Sequence, residues 1–322
     1  MDRRAFLAAA AGGAASLAGC GGDSSGVPGE TTATTTATTT TTTTTVSSAD
    51  IEFPEVEVGQ YPEWMVRKEG ASLFLFTYYP RFAWLVDQMP SAGVKNTIRG
   101  DLTGPRGNLR PTGVLDPATV EEYFYGFTDV DGLAYHLVWG RFGAGEVGER
   151  LQSDRSYEPV GESVGEFDLL RSGQRVVGVA DGRLIAVKVG FAEPVPNFER
   201  VHRTVAGDAG SYTATDDTYR LLVEHLQDGH RVESRPNEAE SLGVEAYGRQ
   251  YAYGTDEFSR VREVLVAGDE PTESGIREAV LENSGIATNL DATIESIAVD
   301  GRVATVTYAP LSTNQIWGSR YA

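Results

Sequence analysis

The chain contains only one cysteine, Cys20, in 322 residues. A single thiol cannot form an intramolecular disulfide, so the fold must be held by its hydrophobic core and polar contacts. Histidine is also scarce, and the four histidines are scattered along the sequence. Because structural metal sites need clustered ligands, no metal site is predicted. These histidines are His136, His202, His225 and His230.

Long hydrophobic runs are missing as well. The most apolar segment runs from Ala5 to Leu17, about 13 residues rich in Ala and Gly, whereas a membrane-spanning helix needs roughly 20. It follows the pair Arg3 and Arg4, and this layout of charge and then apolar residues is typical of a twin-arginine export signal.

The lone cysteine ends the motif Leu17-Ala18-Gly19-Cys20, which has the pattern of a lipobox. Cleavage before Cys20 would remove residues 1–19 as a signal peptide and leave a lipid on the new N-terminal residue. The sequence thus predicts a protein anchored by lipid at the extracytoplasmic face of the cell membrane. Cys20 then has no role inside the fold.

Lysine is the third scarce residue, with three lysines against 24 arginines. Asp and Glu total 46, and the net charge of −19 becomes −20 without residues 1–19. Such a charge repels itself at low ionic strength but is screened in molar salt, where the Debye length is about 3 Å. The composition therefore indicates a halophilic protein and disfavours nucleic acid as a partner.

The export signal, the lipobox and the acidic, lysine-poor composition together resemble Tat-exported lipoproteins of haloarchaea. The specific resemblance covers only residues 1–22, and Asp2 stands where Ser or Thr often precedes the arginine pair. The resemblance implies a location at the cell surface. It implies no activity for the rest of the chain.

A tether is predicted over residues 20–49. Its central part, 31–45, holds thirteen threonines interrupted by two alanines. It has almost nothing to bury in a core, so it is expected to be disordered. The threonine density suggests an O-glycosylated stalk, and a bare linker is the alternative.

The pattern of the remaining residues predicts an α+β fold of antiparallel sheets with a few packed helices. "SLFLFTYY" (72–79) predicts a buried strand, and the Asp131-Gly132 pair predicts a hairpin turn. A helix followed by an Asp-Gly-Arg hairpin occurs twice, with turns at 181–183 and 300–302. This repetition suggests two similar α+β halves, a domain over 50–235 and a smaller one over 236–322.

Two motifs suggest enzyme chemistry. Gly143, Gly145 and Gly148 match a dinucleotide fingerprint, but the preceding segment is amphipathic, unlike the buried first strand of a Rossmann unit. No cofactor is therefore predicted. Gly161-Glu-Ser163-Val-Gly165 matches a nucleophile elbow, yet a strand rather than a helix is expected after Ser163.

A local excess of positive charge interrupts the acidic sequence between residues 95 and 110. A functional interpretation is docking of an anion, an acidic partner, a polysaccharide or lipid headgroups, and the alternative is a solvated loop. The basic residues are Lys95, Arg99, Arg106 and Arg110.

The favoured function is a binding or envelope-structural module at the cell surface, and an enzyme is disfavoured. The alternatives are an extracellular hydrolase using Ser163 and a solute-binding lipoprotein of a transporter. The predicted partners are the membrane, through the lipid on Cys20, and an envelope protein or polysaccharide.

We expect Cys20→Ser to move the protein from the membrane fraction to the soluble or secreted fraction, because the substituted residue cannot carry the thioether-linked lipid. Fractionation with immunodetection and mass spectrometry of the N-terminal peptide measure this. Continued lipid attachment in the variant would contradict the predicted anchor.

Overall fold

The computed structural model describes residues 52–53, 61–67, 69–71, 74–89, 91–103, 111–226, 229–254 and 258–318. The predicted signal peptide with Arg3 and Arg4, the predicted lipidation site Cys20 and the predicted tether lie outside the described residues. So do Arg106 and Arg110 of the basic segment.

The described strands join in one sheet in which every paired neighbour is antiparallel. The order across it is β11-β12-β10-β9-β8-β1-β2-β3-β7-β6-β5-β4, with β13 also paired to β10. The strands are β1 (Phe74–Tyr79), β2 (Val120–Thr128), β3 (Ala134–Gly140), β4 (Glu158–Val164), β5 (Phe167–Ser172), β6 (Arg175–Ala180), β7 (Arg183–Lys188), β8 (Arg231–Ser234), β9 (Ala246–Tyr253), β10 (Phe258–Val266), β11 (Ile294–Asp300), β12 (Val303–Tyr308) and β13 (Leu311–Ser312).

Helices cover both faces of this sheet, which confirms the α+β class. The described helices are α1 (Phe82–Gln88), α2 (Ala92–Thr103), α3 (Ala144–Arg155), α4 (Pro194–Val205), α5 (Asp217–His225), α6 (Pro236–Leu242), α7 (Glu273–Asn283), α8 (Gly285–Leu290) and α9 (Thr313–Gly318). No helix in the described part of the chain is both long and apolar enough to cross a membrane.

Alternate side chains of β1 point to opposite faces of the sheet. Phe74, Phe76 and Tyr78 point to one side, where they pack with α4 and α5. We call this the helix-poor face. Tyr79 points to the other side, the helix-rich face, which α1, α2, α3 and α6 to α9 cover. Each face has its own continuous hydrophobic core.

The sheet continues across the boundary predicted between residues 235 and 236. Strand β8 precedes this boundary and β9 follows it, and the two strands pair with each other. On its other side β8 pairs with β1. The described residues within Val46–Ala322 form one compact unit. A single sheet therefore takes the place of the several sheets expected.

The predicted Asp-Gly turns are present. Gly182 closes the β6–β7 hairpin with a φ of 68°, and Gly301 closes the β11–β12 hairpin with a φ of 55°. Both values lie in the left-handed region that glycine adopts without a steric penalty. Whether the two hairpins descend from a duplication stays a prediction.

One glycine fits its place in the sheet through its lack of a side chain. Gly126 in β2 pairs with Tyr135 in β3, and a Cβ at 126 would overlap the Tyr135 ring. That ring is fully buried, and its hydroxyl donates to the Trp64 carbonyl at 2.9 Å and accepts from the Val66 N–H at 3.0 Å. The backbone of Tyr135 is held in β3 and its hydroxyl is held by two hydrogen bonds, so the ring cannot move away from a methyl group at position 126.

We expect Gly126→Ala to lower the free energy of unfolding by about 1–3 kcal/mol, because the added methyl group overpacks the core against Tyr135. Gly210→Ala is the matched control, since a Cβ there meets no atom within 4 Å. Its effect should stay within about 0.5 kcal/mol. Urea unfolding in concentrated KCl compares the two, and equal losses would contradict this explanation.

Candidate functional site

A cavity of about 300 Å³ opens on the helix-rich face, above the centre of the sheet. Strands β1, β2 and β8 form its floor, α2 contributes Asp101, and the chain leaving β8 into α6 forms the remaining wall. Its lining residues are Leu75, Thr77, Asp101, Tyr123, Tyr125, Arg231, Glu233, Ser234, Arg235, Pro236, Asn237 and Glu238.

Strand β8 brings charged side chains into this buried position. Val232 packs in the core of the helix-poor face, so its neighbours Arg231 and Glu233 point to the helix-rich face. Each of these two side chains is only 2% exposed. Ionised groups are rarely buried this fully unless they are paired.

The two residues form an ion pair that extends to further groups. The Nη2 atom of Arg231 contacts the Glu233 carboxylate and lies 4.0 Å from Oδ2 of Asp101. The Nε–H of Arg235 donates to Oε1 of Glu233 at 2.8 Å, and its Nη1 donates to Glu238 at 3.0 Å. Two carboxylates therefore hold the Arg235 side chain at the cavity wall.

A second ion pair lies behind the cavity wall. Arg249 in β9 binds Glu238 and also donates to Oε1 of Glu263 in β10 at 3.1 Å. The Glu263 carboxylate, which is fully buried, also accepts from Ser284 at 2.6 Å and from the Tyr308 hydroxyl at 2.7 Å. Since four partners surround Glu263, counting Tyr247, this pair stabilises the fold around the cavity.

The environment fixes the protonation of Glu233. Burial alone would raise the pKa of its carboxyl, but the nearby guanidinium groups of Arg231, Arg235 and Arg249 outweigh it and lower the pKa to about 2. Burial and the Glu233 charge raise the pKa of Tyr251 to about 12, and its hydroxyl donates to Glu233 at 2.7 Å. The carboxylate is thus ionised and the phenol protonated at neutral pH.

His230, the residue before β8, is also held in one protonation state. Burial, assisted by the charge of Arg81, lowers the pKa of its imidazole to about 4. Its Nδ1 accepts the Tyr253 N–H at 3.0 Å, so it is neutral at physiological pH. The pKa values of Glu233, Tyr251 and His230 therefore all lie well away from neutral pH.

Ser163, the candidate nucleophile, lies elsewhere. It is an exposed residue near the end of β4, where its hydroxyl donates to Oδ1 of Asp168 at 2.9 Å. The chain then turns at Gly165 and Glu166 into β5, as the sequence indicated. The helix that follows the serine in a nucleophile elbow does not occur at this position.

The glycine-rich fingerprint also has a structural explanation. Helix α3 begins at Ala144, and the Ala144 N–H donates to Oδ1 of Asp181 at 2.9 Å. A carboxylate thus occupies the helix N-terminus where a dinucleotide phosphate would bind. The preceding strand, β3, pairs antiparallel with β2 and β7, unlike the first strand of a Rossmann unit.

The basic segment is described only in part. Lys95 and Arg99 lie on α2, where Lys95 donates to the Asp87 carbonyl at 2.9 Å and Arg99 is exposed. An anion or partner site built from these two residues with Arg106 and Arg110 stays a prediction.

The cavity residues were not predicted, because the segment "HRVESRPNEAES" (230–241) contains the boundary that was expected between two domains, at residues 235 and 236. The segment does carry the pattern of a strand, since charged residues occupy every second position at 231, 233 and 235. In β9, Tyr247, Arg249, Tyr251 and Tyr253 occupy every second position in the same way. A strand with both faces buried was not expected to carry so many polar side chains.

No protein-family model and no curated protein sequence matches the chain. Its fold is similar to that of TP0453, solved in several crystal forms. Crystal form I matches with a TM-score of 0.51 and 12% identity over 83% of this chain and 98% of that one. Crystal form III matches with a TM-score of 0.51 and 12% identity over 80% of this chain and 96% of that one. The likeness shows a shared fold.

We expect Glu233→Gln to change how stability depends on pH. The folded-state pKa of about 2 lies below the unfolded value near 4.5, so the carboxylate stabilises the wild type above pH 4.5 and loses this effect as the pH falls towards 2. The variant should lose less stability across this window. At neutral pH it should be less stable by roughly 3 kcal/mol, because a buried charge pair is broken.

Urea unfolding at constant KCl concentration over this pH range measures both effects. Glu240→Gln is the control, because Glu240 is an exposed residue of α6 outside the cavity. Parallel pH profiles for wild type and Glu233→Gln would show that the ion pair contributes nothing to the acid response.

Proposed function

We propose that the protein is a lipid-anchored binding module of the cell surface that captures a small polar molecule in the cavity above β1, β2 and β8. The observation that carries the proposal is the set of paired, buried charged side chains lining a cavity of about 300 Å³. This volume is near the lower end of ligand pockets, which span roughly 300–1,000 Å³.

The rigidity of the lining supports a binding role. Glu233 accepts hydrogen bonds from Arg231, Arg235 and Tyr251, so its position is fixed before a ligand arrives. Preorganised polar groups lose little conformational entropy on binding, which favours affinity and specificity. Rim residues such as Asn237 remain exposed and accessible.

The location at the membrane rests on the sequence alone. The twin-arginine pair, the lipobox at Cys20 and the threonine-rich segment would place the folded body outside the cytoplasm, at the end of a tether. A binding protein held there could present a solute to a transporter or retain an envelope component. The concave cavity favours a small molecule or a chain terminus over a flat protein surface.

We expect Asn237→Trp to abolish ligand retention, since a large ring at the rim would fill the cavity mouth. Equilibrium dialysis of the full-length protein against a cell extract, followed by mass spectrometry, would reveal the retained metabolite. Glu240→Trp is the control, because it adds the same ring to an exposed position of α6 outside the cavity. Retention by wild type and Glu240→Trp alone supports the proposal, whereas equal retention by all three proteins, or none by the wild type, contradicts it.

A further inference from the structure

The charged side chains that line the cavity are all paired. The lining carries two cations, Arg231 and Arg235, and three anions, Asp101, Glu233 and Glu238. Asp101 lies near Arg231, Glu233 contacts both arginines, and Glu238 contacts Arg235 and also Arg249 behind the wall. Each charge of the lining therefore already has a partner of opposite sign. A charged ligand would compete with these partners and would approach a group of like charge, which costs affinity.

Several lining groups keep hydrogen-bonding capacity for a neutral ligand. Arg235 uses Nε and Nη1 for its carboxylate partners, and within the described ranges no acceptor is bonded to its Nη2. Its side chain remains 31% exposed. The side chains of Thr77 and Asn237 likewise have no hydrogen-bond partner among the residues that the structure describes. Together they present donors and acceptors to the cavity.

The floor between these polar groups is partly apolar and aromatic. Tyr123 and Tyr125 are separated by two positions on β2, so both rings lie on the helix-rich face, and Leu75 of β1 lines the same cavity. Tyr125 and Leu75 are only half-buried. The Tyr125 ring packs against the His136 ring, with centroids 5.0 Å apart, and also lines the cavity. An aromatic ring in a cavity lining can contact C–H groups of a ligand while polar neighbours bind its hydroxyl groups.

We propose that the cavity takes a neutral, polyhydroxylated molecule with the size of a single sugar ring. This inference rests on the proposed binding function and adds the chemical class of the ligand. The hydroxyl groups would accept from Nη2 of Arg235 and exchange hydrogen bonds with Thr77 and Asn237, and the C–H face would lie against Tyr125. The ion pairs stay intact, because hydroxyl groups need no compensating charge.

Titration calorimetry on the full-length protein in concentrated KCl tests the inference, with a detergent that lacks a sugar headgroup. The neutral probes are D-glucose, D-galactose, D-mannose and myo-inositol. The charged probes are D-glucuronate and D-glucosamine, which keep the glucose ring and add one charge of either sign. We expect a neutral probe to bind at least about tenfold more tightly than both charged probes.

Two variants locate the binding. Thr77→Val and Asn237→Leu remove hydrogen-bonding groups with little change in size, and each should weaken binding of the neutral probe about three- to tenfold. Glu240→Gln, outside the cavity, should leave it unchanged. Unchanged binding in both cavity variants would overturn the assignment to this cavity.

The other outcomes separate the ligand class from the binding function. Tighter binding of glucuronate or glucosamine, or no saturable binding of any neutral probe, overturns the ligand class. The binding function itself is decided by the metabolite retained in equilibrium dialysis, and it stands if a ligand of another class is found there.

Discussion

The structure depends on keeping charged side chains buried at the centre of its sheet. Arg231 and Glu233 occupy β8, which lies between β1 and β9 and is covered by helices. Leaving either charge unpaired would cost several kcal/mol, so each needs partners with good geometry. Asp101 from α2, Arg235 at the start of α6 and Tyr251 from β9 supply these contacts. The pairing therefore joins parts of the chain that are far apart in sequence.

This requirement also explains why a cavity lies there. Apolar side chains close most of the helix-rich face, as Leu85, Ile98 and Val280 do from three different helices. Over β1, β2 and β8, the space between α2 and the start of α6 is lined by paired charges and half-buried residues instead. Polar networks tolerate adjoining solvent better than an apolar core does, and they fix the orientation of their members. The same ion pairs can thus stabilise the sheet and form a rigid polar binding surface.

The local structure followed from the sequence to a large extent. The apolar run at 72–79 predicted β1, and the turn residues predicted the hairpins at Gly182 and Gly301, because these features arise from neighbours in the chain. Strand β4 contains Pro159 and Gly161, two residues that disfavour a strand. Such residues are tolerated at the edge of a sheet, where β4 lies. The cavity could not be predicted, because its residues come together only through pairing of distant strands.

By itself, the sequence determined the α+β class and indicated that two enzyme-like motifs lack the secondary structure that their patterns require. Ser163 lacks the helix that an elbow requires, and the fingerprint at Gly143–Gly148 follows a strand of the wrong kind, both of which are local properties. It is also the whole basis for the predicted lipid anchor at Cys20, which lies outside the described residues. Only the tertiary structure decided that residues on either side of position 235 share one sheet and that Arg231, Glu233 and Arg235 line a cavity. The physical reason is that strand order and charge pairing depend on contacts between distant residues, which the periodicity of a single segment does not encode.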